Sequence, residues 1–256
     1  MGKDIFQRIE TAGKPSFSDI LSKSFELFKK VWKEAFYHVL ITIAILIPFL
    51  IIIYVPLFTM MGYRGVYDSY GYYEPFDLPI GLLIVYAIIF FALIFIIQGL
   101  SLGIIAHFFK VCKKEDTGSI KETGSYFVFL KGKNLKKVMV LSLATVGISL
   151  AAVLLCYLPI FYVMVPLQLF VVIFAFNEDL SVSDIIKASF KMGNKYWLIT
   201  FGLIFLSSLI AQIGIIFCFV GVLFTAFFVH IPIYYLYKDT VGFDDDNEEF
   251  RQENSF

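Results

Sequence analysis

Three histidines (His38, His107, His230) and three cysteines (Cys112, Cys156, Cys218) are the side chains best suited to ligating a metal or attacking an electrophile. Neither set has the spacing for it. The cysteines form no C-x-x-C pair and lie in or near apolar runs, which excludes a disulfide framework and a thiolate metal site of usual spacing. They read as small apolar packing residues. The histidines are too scattered in sequence to suggest a metal site and read as hydrogen-bonded within the protein. The acidic run Asp244, Asp245, Asp246, Glu248 and Glu249 lacks the glycine and ligand spacing of a calcium loop. There is no G-x-S-x-G elbow, no H-E-x-x-H pair and no phosphate-cradling glycine loop. No catalytic, cofactor-binding or metal-ligating residue is therefore expected, and nothing supports nucleic-acid binding.

The polar groups left over sit in apolar surroundings. Gln98, Gln168, Gln212 and His230 each interrupt a long hydrophobic run, and facing them towards lipid would leave amide or imidazole groups without partners, at a cost of several kcal/mol. They are expected to point into a bundle, as glue between helices or as the lining of a passage. No Asp, Glu, Lys or Arg joins them away from the ends of the runs, which argues against a proton- or metal-coupled carrier. Gly99-x-x-x-Gly103 allows two helices to approach closely.

The elements that must position these residues are membrane spans. The chain is 59% hydrophobic and only 16% charged, against about 25% charged in an ordinary soluble domain. Apolar runs cover Ala35 to Phe58, Ile80 to Phe109, Val138 to Asn177 and Tyr196 to Tyr237. One span needs about 20 residues. The last two runs are long enough for hairpins, reversing near Leu158-Pro159 and between Gly214 and Gly221, so the expected fold is an all-α integral membrane protein with six transmembrane helices arranged as three hairpins. The segment before the first run is rich in lysine and has no apolar core, so a cleavable signal peptide is not expected. With a cytoplasmic N-terminus, 20 of the 21 basic residues fall inside and only Arg64 outside, which places both termini in the cytoplasm. The tyrosine-rich segment Gly62 to Pro79 then lies outside and reads as part of an aromatic belt, with contact to a glycan or an envelope protein as the alternative.

Before the first and last spans the chain repeats itself. Ser16 to Trp32 and Ser181 to Trp197 coincide without a gap at eight positions, among them Ser16/Ser181, Asp19/Asp184, Ser24/Ser189, Phe25/Phe190 and Trp32/Trp197. In the first copy Ile20, Leu21, Ser24, Phe25, Phe28 and Trp32 follow helical spacing, and the serine followed three residues later by Asp resembles a capping box. Each copy is expected to be an amphipathic interfacial helix, with its lysines towards anionic lipid headgroups, that turns into its span near the Trp. A fainter copy covers Thr117 to Lys133. The organisation expected is a cytoplasmic segment 1–15, a membrane domain 16–239 of three units (16–110, 117–177 and 181–239), and an acidic tail 240–256.

The stretch from Leu158 to Asp239 has Pro159, a span, the acidic pair Glu178 and Asp179, then Ser189, Phe190 and Trp197. In this it resembles the bacterial multi-pass proteins that include the membrane domain of some glycerophosphodiester phosphodiesterases. The resemblance implies a six-helix domain in a bacterial inner membrane. The phosphodiesterase barrel is missing, so no activity carries over. The function expected is that of a non-enzymatic accessory or scaffold protein that organises lipid, or an unidentified membrane or envelope protein. The alternative is a permease or lipid-handling transporter with a passage between the hairpins.

Overall fold

The structure, a computed structural model, describes residues 4–69, 80–120, 122–155, 157–216 and 220–243. Among these residues there is no strand. The α-helices are α1 (Ile5–Thr11), α2 (Phe17–Ser69), α3 (Ile80–Thr117), α4 (Gly132–Leu154), α5 (Leu158–Phe176), α6 (Val182–Lys195), α7 (Trp197–Gln212), α8 (Val222–Thr225) and α9 (Ile231–Thr240). Short 3₁₀ turns cover Val128–Leu130, Ile213–Ile216 and Ala226–His230. Five of the helices are long and apolar enough to cross a membrane: α2 through Thr59, α3, α4, α5, and α7 continued to Ile215.

The sixth expected span is not one regular helix. Between Val222 and Thr240 the chain is helical throughout but divided into α8, a 3₁₀ turn and α9, with Pro232 in the first turn of α9. Proline supplies no N–H and suits a helix start better than an interior. The reversal before it falls in the expected glycine segment. A Cβ on Gly214 would lie 2.4 Å from the carbonyl carbon of Gly221, so the two backbones meet where no side chain fits. The other reversal leads into α5 through Tyr157, at φ 62°, with Pro159 in the first turn.

The two repeat copies depart from expectation in different ways. No turn occurs at Trp32, because α2 runs unbroken from Phe17 through the whole first apolar run. Nothing between Ser16 and Pro48 is a glycine or proline, so nothing local stops the helix. The second copy is a separate helix: α6 ends at Tyr196, whose φ of −117° and ψ of 24° leave the helical region, and α7 begins at Trp197. The faint third copy is not a helix, since most of 118–131 is irregular apart from the 3₁₀ turn at Val128–Leu130. Two of its three glycines, Gly118 and Gly124, stand in the irregular stretch at φ 67° and 79°, outside the helical region.

The packed core lies towards one end of the bundle. The buried residues of α2 fall between Ile20 and Val39 and those of α3 between Gly99 and Cys112, whereas Ile47 to Phe58 and Ile80 to Phe91 are largely exposed apolar surface. Such surface is what lipid would cover. Gly103 permits the tightest approach to α3, since a Cβ there would stand 2.6 Å from Leu130. Phe108, Phe109, Phe170, Phe174, Phe228 and Tyr234 are each less than 2% exposed and fill the space between α3, α5 and the last arm.

Candidate functional site

Lysines of α2, α3, α4 and α9 form ion pairs at this packed end. Lys23 of α2 pairs with Asp239 at 3.0 Å, Lys238 of α9 with Asp116 at 2.6 Å, Lys110 of α3 with Glu178 at 3.1 Å, and Lys133 of α4 with Asp179 at 3.5 Å. Three polar constructions lie here, each made by residues far apart in sequence.

The first is a histidine pair. His38 Nε2 lies 2.9 Å from His107 Nδ1, with the rings stacked at 23°. His38 Nδ1 is 2.6 Å from the Glu34 carbonyl, and His107 Nε2 is 3.4 Å from the Gly124 carbonyl. A neutral imidazole donates through one nitrogen and accepts through the other. His38 Nδ1 faces an acceptor and so carries the proton, and His38 Nε2 then accepts from His107 Nδ1. In the neutral pair His107 Nε2 has no proton for Gly124, which matches the longest of the three contacts. Beside the pair, the Tyr126 hydroxyl donates to Glu34 Oε2 at 3.0 Å. Burial, then the bond and charge of Glu34, push the Tyr126 phenol up to about 12. The pair ties α2 to α3, and the Tyr126–Glu34 hydrogen bond ties the loop after α3 to α2. Among the described residues no group of three His, Cys, Asp or Glu side chains could hold a metal ion.

The second is a saturated carboxylate. Asp116 accepts from the hydroxyls of Tyr234 and Tyr235, both at 2.7 Å, and from Lys238. This holds the segmented last arm against the end of α3.

The third is a cavity of about 330 Å³ between the end of α3, the following loop and the end of α5. Its polar wall carries Lys110, Lys113, Lys114, Ser119, Glu122 and Glu178, and its apolar wall includes Phe129, Phe176 and Phe243. Lys113 Nζ lies 4.3 Å from the centre of the Phe243 ring, and Lys110 Nζ lies 5.8 Å from that of Phe129. Cations over ring faces are attracted by the ring quadrupole. Glu178 is held on both oxygens, by Lys110 and by Asn134 Nδ2 at 2.7 Å.

The polar residues singled out within the spans do not gather. Gln98 on α3 and Gln168 on α5 are half-buried, whereas Gln212 at the end of α7 is exposed, against the expectation that all four face inwards. His230 ends a 3₁₀ turn and packs against Phe227 and Phe109. No hydrogen bond or ring contact joins any two of the four among the described residues. The repeated motif is placed consistently. Ser16 Oγ accepts from the Asp19 N–H at 3.4 Å and Ser181 Oγ from that of Asp184 at 3.2 Å, while Ser24 and Ser189 are buried and donate to the carbonyls four residues back. Phe25 and Trp32 are exposed in large part, and Phe190 and Trp197 are half-buried. Residues 70–79 of the tyrosine-rich segment lie outside the described residues.

His38 and His107 were read from the sequence as hydrogen-bonded within the protein but not as a pair, and the Asp116 cluster was not singled out at all. Only the lysine trio on α3 carried a visible signal, its spacing of i, i+3 and i+4 on one helix face. Comparisons with family models, with curated proteins and with solved structures return no match.

Proposed function

We propose that this chain is a non-enzymatic accessory protein of a bacterial inner membrane, crossing it six times with both termini cytoplasmic. The sixth crossing is made by the segmented arm 222–240. Its lysine-rich end organises anionic lipid or a partner protein at the membrane surface. The observation that carries this reading is the aromatic filling at the packed end of the bundle, where six large rings leave under 2% of their surface exposed. A passage for solute needs a polar path of its own between helices, and close-packed rings leave no room for one. The resemblance of residues 158–239 to the membrane domain of glycerophosphodiester phosphodiesterases supports the layout and contributes no activity.

Single cysteines at Gln168, Gln212 and His230, in full-length protein with Cys112, Cys156 and Cys218 replaced and reconstituted in vesicles, test it. A water-soluble thiol reagent should leave residues 168 and 230 unmodified from both sides. Modification at all three from one side would replace the scaffold with a permease.

A further inference from the structure

The cavity at the lysine-rich end has the chemistry of a ligand site. Lys110, Lys113 and Lys114 project from one face of the last turns of α3, and among the described residues Glu122 and Glu178 are the carboxylates that share the wall with them. Glu178 is already engaged by Lys110 and Asn134. Ser119 and Thr123 add hydroxyl donors on the loop side. Like charges one helical turn apart repel, and an oxygen-rich anion between them relieves that repulsion while accepting several hydrogen bonds. Lysine recognises phosphate as a point charge, which suits a cluster of ammonium groups better than a planar fork. The opposite wall, with Val128, Phe129, Phe176 and Phe243, offers apolar surface to whatever carries the anion. A volume of about 330 Å³ lies at the lower end of the range of small-molecule sites, roughly 300–1,000 Å³.

We propose that this cavity binds a phosphate ester, with the phosphate among Lys110, Lys113 and Lys114 and its organic part against the phenylalanine wall. The site adds a ligand to the scaffold reading and rests on that reading only for the side of the membrane it faces. Two sources share the chemistry: a soluble phosphate ester, or the headgroup of an anionic phospholipid.

Lysine acetylation followed by mass spectrometry separates them, using full-length protein in nanodiscs. In phosphatidylcholine discs, added glycerol 3-phosphate should slow acetylation of Lys113 and Lys114 several-fold if the source is soluble. Phosphatidylglycerol in the discs should do so unaided if it is lipid. Lys133 and Lys187, exposed and outside the cavity, should react at unchanged rates. The double substitution K113Q/K114Q should weaken binding of the protecting probe about tenfold or more, and K133Q/K187Q should leave it unaltered. Protection by neither probe, or equal protection at Lys133 and Lys187, overturns the proposal, and the wild-type footprint decides even if the double variant does not fold. The readout does not depend on membrane orientation, so a failed topology would not be mistaken for a failed site.

Discussion

The two copies of the repeated segment, Ser16–Trp32 and Ser181–Trp197, bury the same register and yet make different structures. In the first, Ile20, Ser24, Leu27, Val31 and Ala35 are buried; in the second, the equivalent Ile185, Ser189, Met192, Tyr196 and Thr200 are buried. The stripe read from the sequence leaned towards Phe25 and Trp32, but the packed stripe is rotated from it, leaving those two rings about 40% exposed. Where the copies part, the first has Phe28-Lys29-Lys30-Val31 and the second Gly193-Asn194-Lys195-Tyr196. Gly193 lies against Pro166 of α5, Lys195 donates to the carbonyls of Ile9, Glu10 and Ala12, and the Tyr196 hydroxyl reaches those of Ala12 and Gly13. The break in the second copy thus coincides with the site where α1 and the connector to α2 are gripped. Caps and buried stripe survive duplication; the helix continues in one copy and breaks in the other where the two differ at three of four positions.

The sharpest way to break this comparison is to give the second copy the first copy's residue. A Cβ at position 193 would stand 3.3 Å from the Cα, Cβ and Cδ of Pro166, atoms that cannot swing aside. Gly193→Phe should therefore cost about 3 kcal/mol, the upper part of the usual overpacking range, and lower the melting temperature of the full chain markedly. An unchanged melting temperature would refute the packing account of the break.

A second pair of substitutions tests whether the copies are equivalent where they look so. Ser24 and Ser189 are both fully buried, each with Oγ 2.7 Å from the carbonyl four residues back. Ser24→Leu and Ser189→Leu should each destabilise by about 1–3 kcal/mol, with similar losses in thermal melts. A large loss at one site and none at the other would make the shared register a coincidence of sequence.

A smaller effect separates the lysines. Lys195→Gln removes the donor to three carbonyls at the end of α1 and should cost about 0.5–1 kcal/mol, given its exposure. Faster amide exchange over residues 5–11 would report it. Lys30→Gln, at the matching exposed position of α2, should leave that exchange unaltered.

The smallest effect is a response to pH. The hydrogen bond and charge of Lys191 hold the Glu10 carboxyl below its ordinary value of 4.5. A depressed carboxyl stabilises the folded state above its ordinary value and ceases to do so as pH falls through the folded-state value. Protection of α1 should be flat above about pH 5 and decline below it, and Glu10→Gln should remove the decline. A decline that persists in Glu10→Gln would assign it to another group.

Membrane class, the reversals and the serine caps were legible from the sequence because each depends on a few neighbouring residues: hydropathy over one span, a Pro or Gly pair, a Ser followed by Asp. The number of spans was less so. The apolar run Tyr196 to Tyr237 does not record that its second half divides at Ala226 and Ile231. Continuity of α2 was misjudged for a related reason, since an amphipathic segment and a span joined by good helix formers have no boundary in their local chemistry.

What only the tertiary structure decided is which distant groups meet. His38 and His107 stand 69 residues apart, and Asp116 and Tyr234 stand 118 apart. A lone His or Asp in sequence looks alike whether its partner is water, a carbonyl or another side chain. The lysine trio of α3 was visible as a charged helix end, but its aromatic wall comes from residues 129, 176 and 243, brought together by the close approach at Gly103 and the return of the last arm to Asp116. Local pattern determined the elements and their apolar surfaces; close packing of helices far apart in the chain determined the sites.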